Sequence, residues 1–447
     1  MGVMPVRRLL LSMSFPMVVS MLVQACYNVI DSVFVARINE NALTAVSLAF
    51  PVQMLMIAFA SGTGVGMNAL LSRSLGEKNF DRVNRTAANG VFLAWVSSIP
   101  FLLFGIFFSE RFFLAQTGVR EIVDFGHDYL SIVCPFSIAV FSQIAFERLL
   151  MSTGLTIYSM LAQTAGAVTN IILDPIMIFG MLGCPEMGMA GAALATVIGQ
   201  TLAAALALGF NLGRNREIDF RARGFRPDRE IIGKIYLVGA PSILMAATGS
   251  VMTYGMNLIL MAFTPTAAAV FGVYFKLQSL LLLPVFGLNN GMVPIVAYNF
   301  GARNRERIVK TIRLAVLYAE GVMLAGSLLF QLFPNQLLGL FNANAAMLAL
   351  GAPALRIIGI HFVLAGACVV FISTLQALGN GLESLLIAFT RQLVVLLPAA
   401  WLLSLTGSVG AVWWAFPLAE CATLAVSGHL LKRVFRQKVD AWCAGGN

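Results

Sequence analysis

The sequence predicts an all-α integral membrane protein with twelve transmembrane helices, arranged as two six-helix lobes related by an internal parallel repeat. Three observations carry this reading. Of the 447 residues, 59% are hydrophobic and 11% are charged, whereas a water-soluble domain carries about 25% charged residues. Apolar runs of the roughly 20 residues needed to cross a bilayer recur twelve times. The second half of the chain repeats the first at a constant offset.

The apolar runs lie approximately at 9–36, 42–71, 87–108, 127–151, 156–180, 188–213, 232–262, 266–297, 310–333, 346–377, 382–404 and 409–431. Several exceed the minimum, which implies tilt or kinks. The first is too long for the core of a signal peptide and reads as a retained helix. Six cysteines (Cys26, Cys134, Cys184, Cys368, Cys421 and Cys443) form no CxxC pair and read as packing residues, not as a disulfide frame or a metal site. The net charge of +9 is concentrated at Arg7 and Arg8, in SRSLGEKNFDRVNRT, RNREIDFRARGFRPDRE, ARNRERIVKTIR and the tail KRVFRQK. The alternate loops carry Arg37, Arg111 and Arg120. This is the positive-inside pattern, and it predicts a multi-pass protein with both termini cytoplasmic; the expected location is a prokaryotic plasma (inner) membrane. A charge excess set by topology argues against a nucleic-acid partner.

The repeat is arithmetic. Pro16 and Pro241, Phe50 and Phe275, Gln53 and Gln278, Gly66 and Gly291, Asn79 and Asn304, and Arg82 and Arg307 all lie 225 residues apart. GTGVGMNALLSRSLGEKNFDRV and GLNNGMVPIVAYNFGARNRERI are the clearest copies, and GMAGAALAT recurs as GSVGAVWWA at an offset of 219. The predicted domains are an N-terminal lobe over 1–213, a cytoplasmic interlobe linker over 214–234 and a C-terminal lobe with a short tail over 235–447. Two six-helix copies of one orientation predict a symmetry axis along the membrane normal and a cavity between bundles that rock, as in transporters built from parallel repeats.

Two acids inside apolar spans are the first functional candidates. Asp31 lies in SFPMVVSMLVQACYNVIDSVFVAR and Asp174 in TNIILDPIMIFG. A charged acid at a span's centre costs about 2.5 to 3.5 kcal/mol, so it is rarely left without a partner or a task. Asn170 precedes Asp174 by four residues, which puts amide and carboxylate on one helix face. Asp31 is six residues before Arg37 and Asp174 six before Gly180, so their depths match. Two carboxylates close together in a low dielectric require a proton or a cation such as Na⁺. Asn170 and Thr196 complete an all-oxygen site, and Asp31 and Asp174 are its metal ligands if the ion is sodium. Pro175 limits local backbone hydrogen bonding and leaves carbonyl oxygens free. The alternative is that both acids are hydrated helix-end groups.

Further candidates face a cavity or pair internally. Glu147 beside Arg148 reads as a structural ion pair. Glu320 and Glu420 lie mid-span in the second half, where they meet cationic substrate or pair with Lys276, Arg356 or Arg391. Gln24, Tyr27 and Asn28, close to Asp31, are candidate cavity residues, and some of the 21 Met and 33 Phe residues give an adaptable apolar lining. Catalysis has no constellation: His127, His361 and His429 stand alone, and no GxSxG, HExxH or Walker-type loop occurs. No enzyme activity, no ATP site and no cofactor beyond a coupling ion is expected.

Over essentially its full length the chain resembles the multidrug and toxic compound extrusion (MATE) family. The resemblance rests on Pro16 and Asp31, the SRSLGEKN-type loop and its copy FGARNRERI, NIILDPIMIFG, and GMAGAALATVIGQ. It implies two six-helix lobes around a cleft and export of organic cations and drugs in exchange for H⁺ or Na⁺. In the branch with its cation site in the N-terminal lobe, the site falls on Asp31, Asn170, Asp174 and Thr196, and the kink-forming proline on Pro16. Another branch uses an acid in the seventh helix; the run from Ile232 to Ala262 has none, which favours the N-lobe site. VFGVYFKLQS looks closest to a Gram-positive-type subgroup. The expectation is a monomeric secondary antiporter in the lipid bilayer, working by alternating access on small molecules. The rival readings are a lipid-linked oligosaccharide flippase of the same architecture and a membrane-embedded enzyme or receptor.

Overall fold

A computed structural model describes residues 1–219, 225–341 and 343–441. Residues 220–224 of the predicted linker and Cys443 lie outside the described residues. The spans are α1 (Val6–Ala36), α2 (Glu40–Gly76), α3 (Phe80–Phe107), α4 (Arg120–Ser152), α5 (Thr156–Phe179), α6 (Gly188–Arg214), α7 (Arg229–Met261), α8 (Pro265–Gly301), α9 (Arg305–Leu332), α10 (Ala345–Gly359 and Phe362–Ala377), α11 (Gly381–Ser404) and α12 (Val409–Asp440). Eleven are long and apolar enough to cross a membrane alone, and α10 does so if its two segments, bent by 51°, form one span. Each predicted run falls on one of these twelve. No strand occurs among the described residues.

The repeated loops fold alike because their residues impose the same turn. α2 and α8 each end in a left-handed residue, Lys78 (φ 57°) and Arg303 (φ 55°). The next amide reaches back five residues, Asn79 N to Ser74 O at 3.0 Å and Asn304 N to Asn299 O at 2.9 Å, which closes the orphan carbonyls of a helix end. The same asparagines then start the following helix, Asn79 Oδ1 accepting from Arg82 N at 3.0 Å and Asn304 Oδ1 from Arg307 N at 3.1 Å. One asparagine thus ends one helix and caps the next.

Two spans break at matching places for different reasons. In α4 the break is a 3₁₀ turn, Pro135–Ser137, where proline lacks the N–H that would continue the ladder. The 225-residue offset carries Pro135 to Ile360, where α10 bends. No proline is present there. Instead the buried His361 donates from Nδ1 to the carbonyl of Ile358 at 2.7 Å, satisfying an oxygen at the bend.

The chain forms two compact units, Phe15–Gly239 and Met1–Ser14 with Ala240–Asn447. Their edges fall inside α1 and α7, just before Pro16 and Pro241, not at the ends of a linker over 214–234. The leading segment of α1 packs in the second unit: Leu9, Leu10 and Met13 join its core, and Ser14 Oγ donates to Leu288 O at 3.1 Å. The leading segment of α7 packs in the first, where Ile231 and Ile235 meet Leu70 and Leu93. Gly66 and Gly291, mates in the repeat, permit these crossings. A Cβ on Gly66 would lie 2.1 Å from Ile235 O, and one on Gly291 2.5 Å from Ser14 Oγ.

Arg307 fixes the chain's first residues to the second unit, donating from Nη2 to Met1 O at 2.8 Å and Met4 O at 2.7 Å. Hydrogen bonds from a charged donor contribute about 1.5 to 3 kcal/mol each. Arg307→Ala is therefore expected to accelerate amide exchange by roughly tenfold or more in the peptide before α1, read by hydrogen–deuterium exchange mass spectrometry, with the matching segment before α7 unchanged.

Among the free cysteines, Cys134 and Cys368 are buried in packing positions, whereas Cys26, Cys184 and Cys421 are exposed and do not pack inside the protein.

Candidate functional site

The site in the first unit begins with a close helix crossing. Gly166 on α5 and Gly199 on α6 face each other so tightly that a Cβ on Gly166 would lie 2.6 Å from Gly199 O, and one on Gly199 2.7 Å from Gly166 O. Small residues let membrane helices approach backbone to backbone. The crossing brings Asn170 and Asp174, one and two turns on from Gly166, against Thr196, one turn before Gly199. All three polar side chains are buried.

Each polar atom has a defined job. With the amide oriented to satisfy both neighbours, Asn170 donates to Asp174 Oδ2 at 3.0 Å and accepts the Thr196 N–H at 3.0 Å. The Thr196 hydroxyl donates to Ala192 O at 3.0 Å. Tyr27 on α1 and Tyr129 on α4 lie near this hydroxyl. Gln53 on α2 donates to the Tyr129 hydroxyl at 2.7 Å. Asp31, partly buried on α1, places its carboxyl within hydrogen-bond reach of Asp174. Its Oδ1 has no protein partner.

Two carboxyl groups in contact cannot both be ionised without a charge between them. The oxygen set of Asp31, Asp174, Asn170 and Thr196 suits a proton or a hard monovalent cation. No group of three or more His, Cys, Asp or Glu side chains placed to hold a metal occurs among the described residues.

The family MatE matches the chain twice, over residues 16–176 and 241–402. The chain belongs to the MatE family. The two matches start at Pro16 and Pro241, the first pair of the internal repeat. Among relatives, the multidrug export protein MepA of Staphylococcus haemolyticus is 27% identical over 419 residues, covering 92% of this chain and 91% of its own. MepA of Staphylococcus aureus is 28% identical over 435 residues, with 94% and 93% covered. A solved multidrug resistance MATE family transporter of the MOP superfamily, in an outward-facing conformation, shares the fold with a TM-score of 0.89 at 24% identity, covering 96% of this chain and 97% of that one. These likenesses define a multi-pass membrane transporter and not an enzyme.

In this MatE protein the other candidate residues separate. Tyr27 joins the acid pair, as above. Gln24 accepts from Gln163 Nε2 at 2.9 Å, and Asn28 is exposed, so neither is part of the cluster. Pro16 and Pro175 lie inside α1 and α5, which continue as helix through both. Glu147 accepts from Gln143 Nε2 at 3.0 Å next to Arg148. In the second unit Glu420 pairs with Arg391 at 3.1 Å, Glu320 accepts the Ala367 N–H at 2.7 Å, and the exposed Lys276 lies 5.9 Å from the Phe341 ring centroid. Of the three cations considered for the acids, Arg391 is the one salt-bridged to Glu420.

Sequence reasoning missed Tyr129 as a site residue and placed Gln53 only in the repeat. Gln53 comes from the next helix in the chain and Tyr129 from one further on, in Arg120–Ser152. The one available signal for the crossing was the Gly166, Asn170, Asp174 series at four-residue intervals, a single helix face led by a glycine.

Proposed function

We propose that this protein is a secondary antiporter that exports small organic cations and drugs by alternating access, using the Asp31–Asp174 pair to carry the coupling ion. The observation that carries the proposal is the contact of two carboxyl groups inside one six-helix bundle, roofed by Asn170, Thr196 and Tyr129. Direct carboxyl–carboxyl contact supports a proton as the ion, since one proton removes the repulsion without any other ligand. The relatives' names, multidrug export proteins, support the substrate class.

In this mechanism loading the pair neutralises the outer part of α1, which bends at Pro16 and weakens binding of the cationic substrate; unloading restores it. Pro175 leaves α5 one backbone donor short beside Asp174 and lets the carbonyl ladder yield there. One elementary charge moving through 100 mV supplies about 2.3 kcal/mol, enough for a roughly fifty-fold substrate gradient per ion. The protein works as a monomer in a prokaryotic inner membrane, with both termini cytoplasmic on the strength of the Lys and Arg distribution. In the second unit, the partial exposure of Glu320 on α9 supports it as an acid that meets substrate.

The test is efflux of a fluorescent organic cation from proteoliposomes under an imposed pH gradient or an imposed Na⁺ gradient. Efflux driven by the pH gradient alone is the expected result. Efflux driven by Na⁺ alone assigns the same oxygens to sodium, and efflux under neither gradient overturns the antiport reading.

A further inference from the structure

The turn that joins α1 to α2 is fastened to the start of α4 by three side chains. Glu121, in the first turn of α4, accepts from Asn39 Nδ2 at 2.9 Å through Oε1 and from Asn41 Nδ2 at 2.5 Å through Oε2. Asn39 serves two helices, since its Oδ1 also caps α2 by accepting from Ala42 N at 2.8 Å. A carboxylate gripped at both oxygens fixes orientation as well as distance.

The start of α4 is itself pinned. Arg120 pairs with Glu110 at 3.0 Å and with Asp124 at 2.9 Å, and Ser109 Oγ lies 2.8 Å from His127 Nδ1. The end of α1 is held less firmly. Around Asp31, Val35 is buried, but Val29 and Val33 are 64% and 47% exposed, and Ser32, Ala36 and Arg37 are exposed as well. A segment with few buried apolar contacts is locally weak, so the fastening of its end decides where it lies.

The fastening reaches the acid pair through the helices on either side of it. Asn39 is eight residues past Asp31, and Glu121 is eight residues before Tyr129, about 12 Å along α4. Gln53 ties α2 to the Tyr129 hydroxyl at 2.7 Å. The helices that deliver Asp31 and Tyr129 are therefore joined at the same number of residues from the site. All of these residues belong to the compact unit Phe15–Gly239.

We propose that Glu121 is a positioning residue for proton coupling: through Asn39 and Asn41 it holds α1 so that Asp31 stays in contact with Asp174. The inference rests on the antiport reading and adds a residue outside the site that sets the site's geometry. Glu121 acts as an acceptor and does not itself exchange the proton. The titratable groups that face the acid pair are Tyr27 from α1 and Tyr129 from α4. Separating two carboxyl groups weakens the repulsion that a shared proton relieves, so a loosened α1 leaves that proton less tightly bound.

The test is the pH dependence of proton release when a fluorescent organic cation binds to the purified full chain. The probe is Asn39→Ser with Asn41→Ala, which removes both donors to Glu121, leaves every charge in place and keeps a capping oxygen on α2. The pH at which release falls to half is expected to drop by roughly 0.5 unit, about a threefold loss of proton affinity, with cation binding retained. Glu121→Gln should move it the same way. Asn39→Asp combined with Glu121→Gln exchanges donor and acceptor across the same pair and should restore the wild-type value. An unchanged half-release pH in folded Asn39→Ser/Asn41→Ala overturns the positioning role even if thermal stability falls, and so does failure of the exchanged pair to restore it. Should the double variant fail to fold, Asn41→Ala alone replaces it, with the same two outcomes. No proton release from wild type at any pH overturns the antiport reading itself, and this inference with it.

Discussion

Asp31→Asn is expected to reduce gradient-driven efflux by about a hundredfold or more while leaving expression and thermal stability near wild type. Asparagine keeps the shape and the acceptor oxygen of the side chain but removes the ionisable group, so the Asp31–Asp174 contact becomes an ordinary amide–carboxyl hydrogen bond. Asp174 then keeps its bond from Asn170 and loses the neighbouring charge against which loading is tuned. The lost quantity is the driving force, about 2.3 kcal/mol per charge at 100 mV, together with the alternation that loading sets. The substitution removes a charge as loading does, so cation binding should weaken but persist in folded protein, which separates loss of coupling from loss of fold. Equilibrium binding of the fluorescent cation, measured beside efflux, makes that separation.

Gly166→Leu is expected to have the second large effect, and through packing instead of charge. The Cβ alone would lie 2.6 Å from the carbonyl oxygen of Gly199 and 2.8 Å from the Ala203 Cβ, well inside contact distance. Overpacking of this kind costs about 1 to 3 kcal/mol when the surroundings yield, and at a backbone-to-backbone crossing they can do so only by separating α5 from α6. That separation removes the Asn170 to Thr196 bond, so stability and transport fall together. Gly209→Ala on α6 is the control. Nothing lies within 4 Å of its added Cβ, and removing a glycine from a helix interior stabilises by up to about 1 kcal/mol. A lowered thermal midpoint for Gly166→Leu and an unchanged or raised one for Gly209→Ala are the outcomes to look for.

The twelve spans and the duplication were readable because both are patterns of a single chain: runs of apolar residues, and matches at one offset. The turns at Asn79 and Asn304 were visible as copied letters before their geometry was known. Asp31, Asn170, Asp174 and Thr196 were readable as a group because a polar residue in an apolar span must be accounted for. What stayed hidden depends on side chains meeting from separate helices. Tyr129 carries no mark in the sequence that sets it apart from an interfacial tyrosine, and only its bond from Gln53 and its approach to Thr196 draw it in. The choice among Lys276, Arg356 and Arg391 for Glu420 needed the packing of α11 on α12. The bend of α10 has no proline to announce it, and the π turn at Arg391 follows from tertiary contacts that no local propensity encodes. The unit edges inside α1 and α7 were equally unmarked, although Pro16 and Pro241 stand next to them.

The central claim is that a proton on the Asp31–Asp174 pair and an organic cation oppose one another in binding. Reciprocity requires that each then lowers the affinity of the other. The most direct measurement is the number of protons released when the fluorescent organic cation binds to purified protein in weakly buffered solution containing a pH indicator. Release of up to about one proton per cation bound by wild type, and none by Asp31→Asn that still binds the cation, is the predicted result. Cation binding without proton release in wild type, or equal release in the variant, would contradict it.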